Sequence, residues 1–262
     1  MSNIFPMQRI NSLYRKMLQQ MLEHPDPFTN LGKIVACYPM TGPEGKVDTM
    51  FIGRALNGWH WNFDLGKLKE EPEAILDRII NDRHSAAPDE DRLAWIDRMW
   101  GNRKEGYNTA RSQFLQVLRG VSESREPKRE NWREGIVWTN LLKIAPYGSN
   151  PSQKMVKMIG DASLELILAE IAAFKPRNII CLSVMVWARN LLDSGKIDYE
   201  IERNGKYLEF AGDVSFNSAP PLRFVVMPHP QTRSSKLIEL LRHTQDSYLI
   251  DQNSYAMARS NR

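Results

Sequence analysis

The run Leu164-Glu-Leu-Ile-Leu-Ala-Glu-Ile-Ala-Ala-Phe-Lys-Pro-Arg-Asn-Ile-Ile-Cys-Leu-Ser183 decides the architecture. Leu164, Ile167, Leu168, Ile171 and Phe174 recur every three or four residues, which is the apolar face of an amphipathic helix. Lys175-Pro176 stops that helix, because proline lacks a backbone N–H and disfavours the helical region for the residue before it. Asn178 to Ser183 is then a short apolar run, the pattern of a strand buried on both faces of a parallel sheet. A helix, a hard stop and a buried strand predict an α/β chain.

The same alternation extends outward. Ser152 is a predicted N-cap for the helix that reaches Phe174, with Gly160 as its weak point. Ile10, Leu13, Tyr14, Met17, Leu18, Met21 and Leu22 predict a helix over residues 8–23, ended by Pro25 and Pro27; its stripe is either core or a partner-binding face. Ile34 to Tyr38 reads as a short strand and Val47 to Gly53 as a buried one. Two charged helices are expected within 70–100, as a cap over a site or as packing, and another from Tyr107 to Arg119. Gly135 to Pro146 is a strand-like run, and Trp187 to Leu192 begins a helix. Tyr207 to Phe210 reads as a strand in a polar hairpin, Arg223 to Pro228 as the last buried strand, and Leu237 to Leu249 as a final helix.

At 262 residues the chain fits one domain, expected over 1–262 with a helical extension at 1–30 and a polar tail at 250–262. Cys37 and Cys181 lack paired spacing, which argues against a disulfide scaffold, a cysteine zinc site or an iron–sulfur cluster and suits a reducing cytoplasm. Met1-Ser-Asn-Ile-Phe-Pro6 has no apolar signal region, and no apolar run is long enough to span a bilayer; no membrane association is expected. A formal charge of +4 is compatible with a polyanion without identifying one.

Three apolar runs end in polar chemistry. Met50-Phe51-Ile52 breaks at Gly53 and leads through Arg54-Ala-Leu-Asn-Gly58 to Trp59-His-Trp61. Glycine there permits close backbone approach to a ligand, or simply a tight turn whose tryptophans fill the core. The second run carries Asn140, whose amide must be satisfied by structure or by a ligand. The third ends in His229-Pro230. A parallel sheet brings such strand ends to one edge.

Taken in order, Trp138-Thr-Asn-Leu-Leu-Lys-Ile-Ala-Pro146, Leu168-Ala-Glu-Ile-Ala-Ala-Phe-Lys-Pro176, Ile179-Ile-Cys-Leu182 and Val225-Val-Met-Pro-His-Pro230 resemble the uracil-DNA glycosylase superfamily over roughly Val47 to Leu241. The resemblance implies a three-layer α/β/α sandwich around a mostly parallel sheet of about four to five strands. It implies extrusion of a damaged base from DNA and hydrolysis of its N-glycosidic bond, without metal or organic cofactor. Asn140 matches the base-reading asparagine, and His229 matches the histidine that stabilises charge on the leaving base. Gly53 and Ala55 would pass close to the base. Trp59, Trp61, Phe63 and Tyr107 are candidates for stacking on it. Arg233, Ser234, Ser235 and Lys236 would hold DNA phosphates. Where the family commonly carries a polar water-activating residue this chain has Ala55, so Asn57, Asp64 or His60 would have to act instead; Gln231 also replaces a usual serine. A superfamily member that binds DNA, a nucleotide or a base without cleavage is the alternative. Neither Gly-x-Ser-x-Gly nor a Gly-Lys-Ser/Thr phosphate loop occurs.

Overall fold

A computed structural model describes residues 4–26, 28, 32–43, 46–54, 62–81, 91–102, 108–125, 130–203, 208–217 and 219–230. The chain is mixed α/β. In order it forms helix α1 (Ile4–Glu23), strands β1 (Ile34–Ala36), β2 (Met40–Thr41) and β3 (Thr49–Gly53), and helices α2 (Leu65–Glu70), α3 (Pro72–Asn81) and α4 (Ala94–Arg98). A 3-10 turn at Thr109–Arg111 leads into α5 (Gln113–Arg125). Then follow β4 (Ile136–Asn140), β5 (Ile144–Pro146), α6 (Gln153–Phe174), β6 (Asn178–Leu182) and α7 (Met185–Asp193). The hairpin strands β7 (Lys196–Arg203) and β8 (Phe210–Ser215) and the buried β9 (Leu222–Met227) complete the described elements.

The deciding run folds as its pattern dictates. Ser152 caps α6 by accepting from the Met155 N–H at 3.2 Å. The helix closes at Lys175, whose φ of 48° is left-handed, and Pro176 prevents continuation. A β-carbon in that conformation is crowded against its own carbonyl, so Lys175→Gly is expected to raise stability by about 1 kcal/mol, read as a higher denaturant midpoint. All five residues of β6 are buried.

The main sheet has the order β2-β4-β3-β6-β9-β8-β7. Among the described residues it holds seven strands rather than the four or five expected. β6 pairs in parallel with β3 (Ile52 opposite Cys181) and with β9 (Leu182 opposite Met227). β4 also runs with β3, since Thr49 bonds Gly135 while Gly53, further along, bonds Leu141. β8 is antiparallel to β9 and to β7, so the sheet is mixed. β7, Lys-Ile-Asp-Tyr-Glu-Ile-Glu-Arg, is a charged edge strand with Tyr199 exposed. Its polarity hid it in the sequence, where the hairpin strand was expected at Tyr207 to Phe210 and is found at Phe210–Ser215. β1 and β5 form a separate antiparallel ribbon, Val35 opposite Ala145.

The chain divides into two compact units, each drawn from three segments: 1–40, 53–88 and 138–175, and 41–52, 89–137 and 176–262. In the first, the α1 stripe of Ile10, Tyr14, Met17 and Met21 is buried in a cluster shared with Met155, Ile159 and Leu166 of α6. The predicted stripe is therefore core, and α1 is integral to its unit rather than an appendage. α3 opens with Pro72 at the first helical position and buries Ile75 and Ile79 in the same cluster. In the second unit, Asp97 of α4 accepts from Trp132 Nε1 at 2.9 Å and pairs with Arg119 and Arg133.

Candidate functional site

In the first unit β4 ends at Asn140, and the residues after it are fixed through their backbones. The Leu141 N–H donates to the Gly53 carbonyl at 2.8 Å, and the Leu142 N–H to the Arg54 carbonyl at 3.0 Å. The Lys143 N–H donates to Ser163 Oγ of α6 at 3.3 Å, and its carbonyl accepts from the Cys37 N–H at 2.8 Å. The glycine strand end and the asparagine strand end are thus neighbours, as the sequence pattern required.

Asn140 is buried, and its amide Nδ2 donates to Cys37 Sγ at 3.2 Å. Cys37 lies just beyond β1. Burial pushes its thiol up to about 11, against the pull of Lys143 and the Asn140 hydrogen bonds, so at neutral pH the sulfur keeps its proton. The thiol faces the Tyr38 carbonyl at 3.7 Å, and the Cys37 carbonyl accepts from the Tyr14 hydroxyl of α1.

Beneath this lies a fully buried ion pair. Lys143 Nζ meets Glu170 Oε2 of α6 at 2.7 Å, and both side chains have no exposure. Thr139 Oγ1 donates to the same oxygen at 2.9 Å and accepts from Lys143 Nζ. Glu170 Oε1 is buried and has no hydrogen-bond partner among the described residues. Burial raises the Glu170 carboxyl above its ordinary range, against the opposing pull of Lys143 and Thr139. Sequence reasoning missed Glu170, Ser163 and Cys37. The only signal was a charge inside an apolar pattern: Lys143 within Leu141-Leu-Lys-Ile-Ala145, and Glu170 between Ile167 and Ile171.

Phe63 is placed in the core of the first unit, bridged to Ile34 in both directions at 2.7 and 2.9 Å. It belongs to the buried cluster that also holds residues of α1 and α6, so its described placement is core. Asp64 is the N-cap of α2; its Oδ1 accepts from the Lys67 N–H at 2.8 Å. That carboxylate is engaged in holding a helix start, a task different from activating water.

In the second unit β6 and β9 run parallel, so their carboxyl ends reach one edge. Ser183 follows β6; it is buried, and its hydroxyl has no hydrogen-bond partner among the described residues. His229 follows β9 and is exposed. Glu209, at the amino end of antiparallel β8, sends its carboxylate to the Met185 N–H at the start of α7. Among the described residues no group of three or more metal-type side chains comes together, and no described helix is long and apolar enough to cross a membrane. Ala55, Asn57, Trp59, His60, Trp61, Tyr107, Arg233, Ser234, Ser235, Lys236 and the expected 237–249 helix lie outside the described residues. Compared with known family models and with curated proteins, the chain matches none.

The buried thiols set a pH dependence. Cys37 ionises near 9.0 when unfolded and about 11 when folded. A raised value means the folded state holds the proton more tightly, so this contribution is complete below pH 9 and is lost as pH rises towards 11. At 1.36 kcal/mol per pH unit the loss is about 3 kcal/mol. Cys181, raised by burial and by Glu209 to about 12, acts in the same direction. Urea unfolding between pH 8 and 11 should show the decline, and Cys37→Ala should flatten it; an unchanged slope would refute the assignment.

Proposed function

We propose that the protein recognises a nucleobase in DNA and hydrolyses its N-glycosidic bond, in the manner of the uracil-DNA glycosylase superfamily. The observation that carries this reading is Asn140: a buried amide at a strand end, beside the Gly53 backbone, with one N–H held by Cys37. An amide so placed has a donor and an acceptor left for a base edge. The resemblance assigns to His229, which follows β9, the donor for a leaving base whose charge grows as the bond breaks. The reading includes the three-layer sandwich, DNA as partner, no metal or cofactor, and a cytoplasmic setting that suits two unpaired cysteines.

The test is a panel of oligonucleotides bearing uracil, hypoxanthine, xanthine or oxidised pyrimidines, scored for base release and for binding. Release from at least one substrate supports the enzyme. Binding without release supports a base-recognising module, a second reading favoured by the capping role of Asp64, which takes one candidate water activator away. Neither binding nor release on any member sinks both.

A further inference from the structure

We propose that Glu170 is a positioning residue: one oxygen of its buried carboxylate staples Thr139 to Lys143, and so fixes the turn between them that seats the Gly53 and Arg54 backbone. Its effect on base release rests on the glycosylase reading; its effect on the backbone does not.

A buried ion pair is weak evidence for stability, because an apolar pair of similar volume often serves as well. The hydrogen bonds around this one point to a different role. Leu141, Leu142 and Lys143 form a buried link, neither helix nor strand, between β4 and β5. Buried backbone outside a ladder must find its partners elsewhere. The Leu141 and Leu142 N–H groups find the Gly53 and Arg54 carbonyls at 2.8 and 3.0 Å, and the Lys143 N–H finds Ser163 Oγ at 3.3 Å. All three bonds require the link to keep one course.

Glu170 sets that course. Its Oε2 accepts from Thr139 Oγ1 at 2.9 Å, before Asn140, and from Lys143 Nζ at 2.7 Å, after Leu142. Lys143 Nζ also donates to Thr139 Oγ1, so the three side chains close a ring. Both ends of the 139–143 stretch are thereby tied to a single atom. That atom is carried by α6, which also holds the Lys143 N–H through Ser163, about two turns earlier on the same face. One stiff helix thus anchors both the backbone and the side chain of Lys143. An apolar pair would fill the same space but has no direction, and could not tie Thr139 to residue 143.

The experiment is backbone hydrogen exchange on the 15N-labelled full chain, with single-turnover base release and DNA affinity measured beside it. In Lys143→Met/Glu170→Leu the Leu141 and Leu142 amides should exchange at least about tenfold faster than in wild type, relative to the amides of β6, as expected for local opening. Thr139→Val, which removes one end of the staple and keeps the ion pair, should act in the same direction. Glu170→Gln keeps an acceptor for both ends, so the two amides should stay near wild type relative to β6 whatever the overall stability. Equal acceleration at β6, or unchanged Leu141 and Leu142 exchange in the double variant, would overturn the proposal. On any substrate that wild type releases, the double variant should also be slower by at least about tenfold with little change in DNA affinity, since the loss is one of placement. Release at the wild-type rate despite lost protection would overturn the role in the site. Absence of release in wild type itself would sink the glycosylase reading, while the exchange comparison would still decide whether Glu170 seats the Gly53 and Arg54 backbone.

Discussion

Lys143→Met is expected to destabilise the protein by about 3–5 kcal/mol, the range for removing one partner of a buried ion pair. Lys143 and Glu170 have no exposure, and the carboxylate oxygen that meets Lys143 also accepts from Thr139. Without the lysine that carboxylate is a buried charge with one neutral donor, and among the described residues its other oxygen has no partner. The double variant Lys143→Met/Glu170→Leu should recover most of the loss, because an apolar pair of similar volume is often as stable as the ion pair it replaces. The pH dependence separates this from simple misfit. Glu170 already has its carboxyl raised by burial, and losing Lys143 raises it further. A carboxyl raised on folding contributes stability below its unfolded value near 4.5 and loses it as pH rises through the folded value. The deficit of Lys143→Met should therefore narrow as pH falls towards 4.5. Chemical denaturation at pH 5 and pH 8 measures this. A loss below about 1 kcal/mol, or a deficit independent of pH, would show that the pair is not electrostatically balanced.

Under the glycosylase reading proposed above, His229→Ala is expected to slow base release about 10²–10³-fold, the effect of removing one donor aimed at developing charge, equivalent to about 3–4 kcal/mol. The side chain is exposed beyond β9, so the loss should appear mainly in single-turnover rates. DNA affinity should change far less than rate, because an interaction made mainly in the transition state leaves ground-state binding nearly intact. Asn140→Asp replaces the donor end of the amide with a second acceptor, and should weaken both the proposed base recognition and the contact to Cys37. Release that survives both substitutions unchanged would remove these residues from the site.

Elements with local causes are legible in the chain. Ser152 and Lys175-Pro176 bound α6 because capping and proline act within a few residues. β3, β6 and β9 are legible because strands buried on both faces are continuous apolar runs. The α1 stripe is legible because helical periodicity records which side is covered. β7 was not, since an exposed edge strand needs no apolar face. Of the site, Asn140 and Gly53 were nameable from position in the chain, and the structure makes them neighbours through Leu141. Phe63 and Asp64 looked like site residues because an aromatic and a carboxylate near a glycine turn read the same whether they serve ligand or fold. Only the tertiary structure gave them a core bridge and a helix cap. It also supplied the partners that no spacing encodes: Glu170 for Lys143 across 27 residues and Cys37 for Asn140 across 103. A buried charge or amide must find its complement wherever folding brings one, and sequence separation carries no record of that choice.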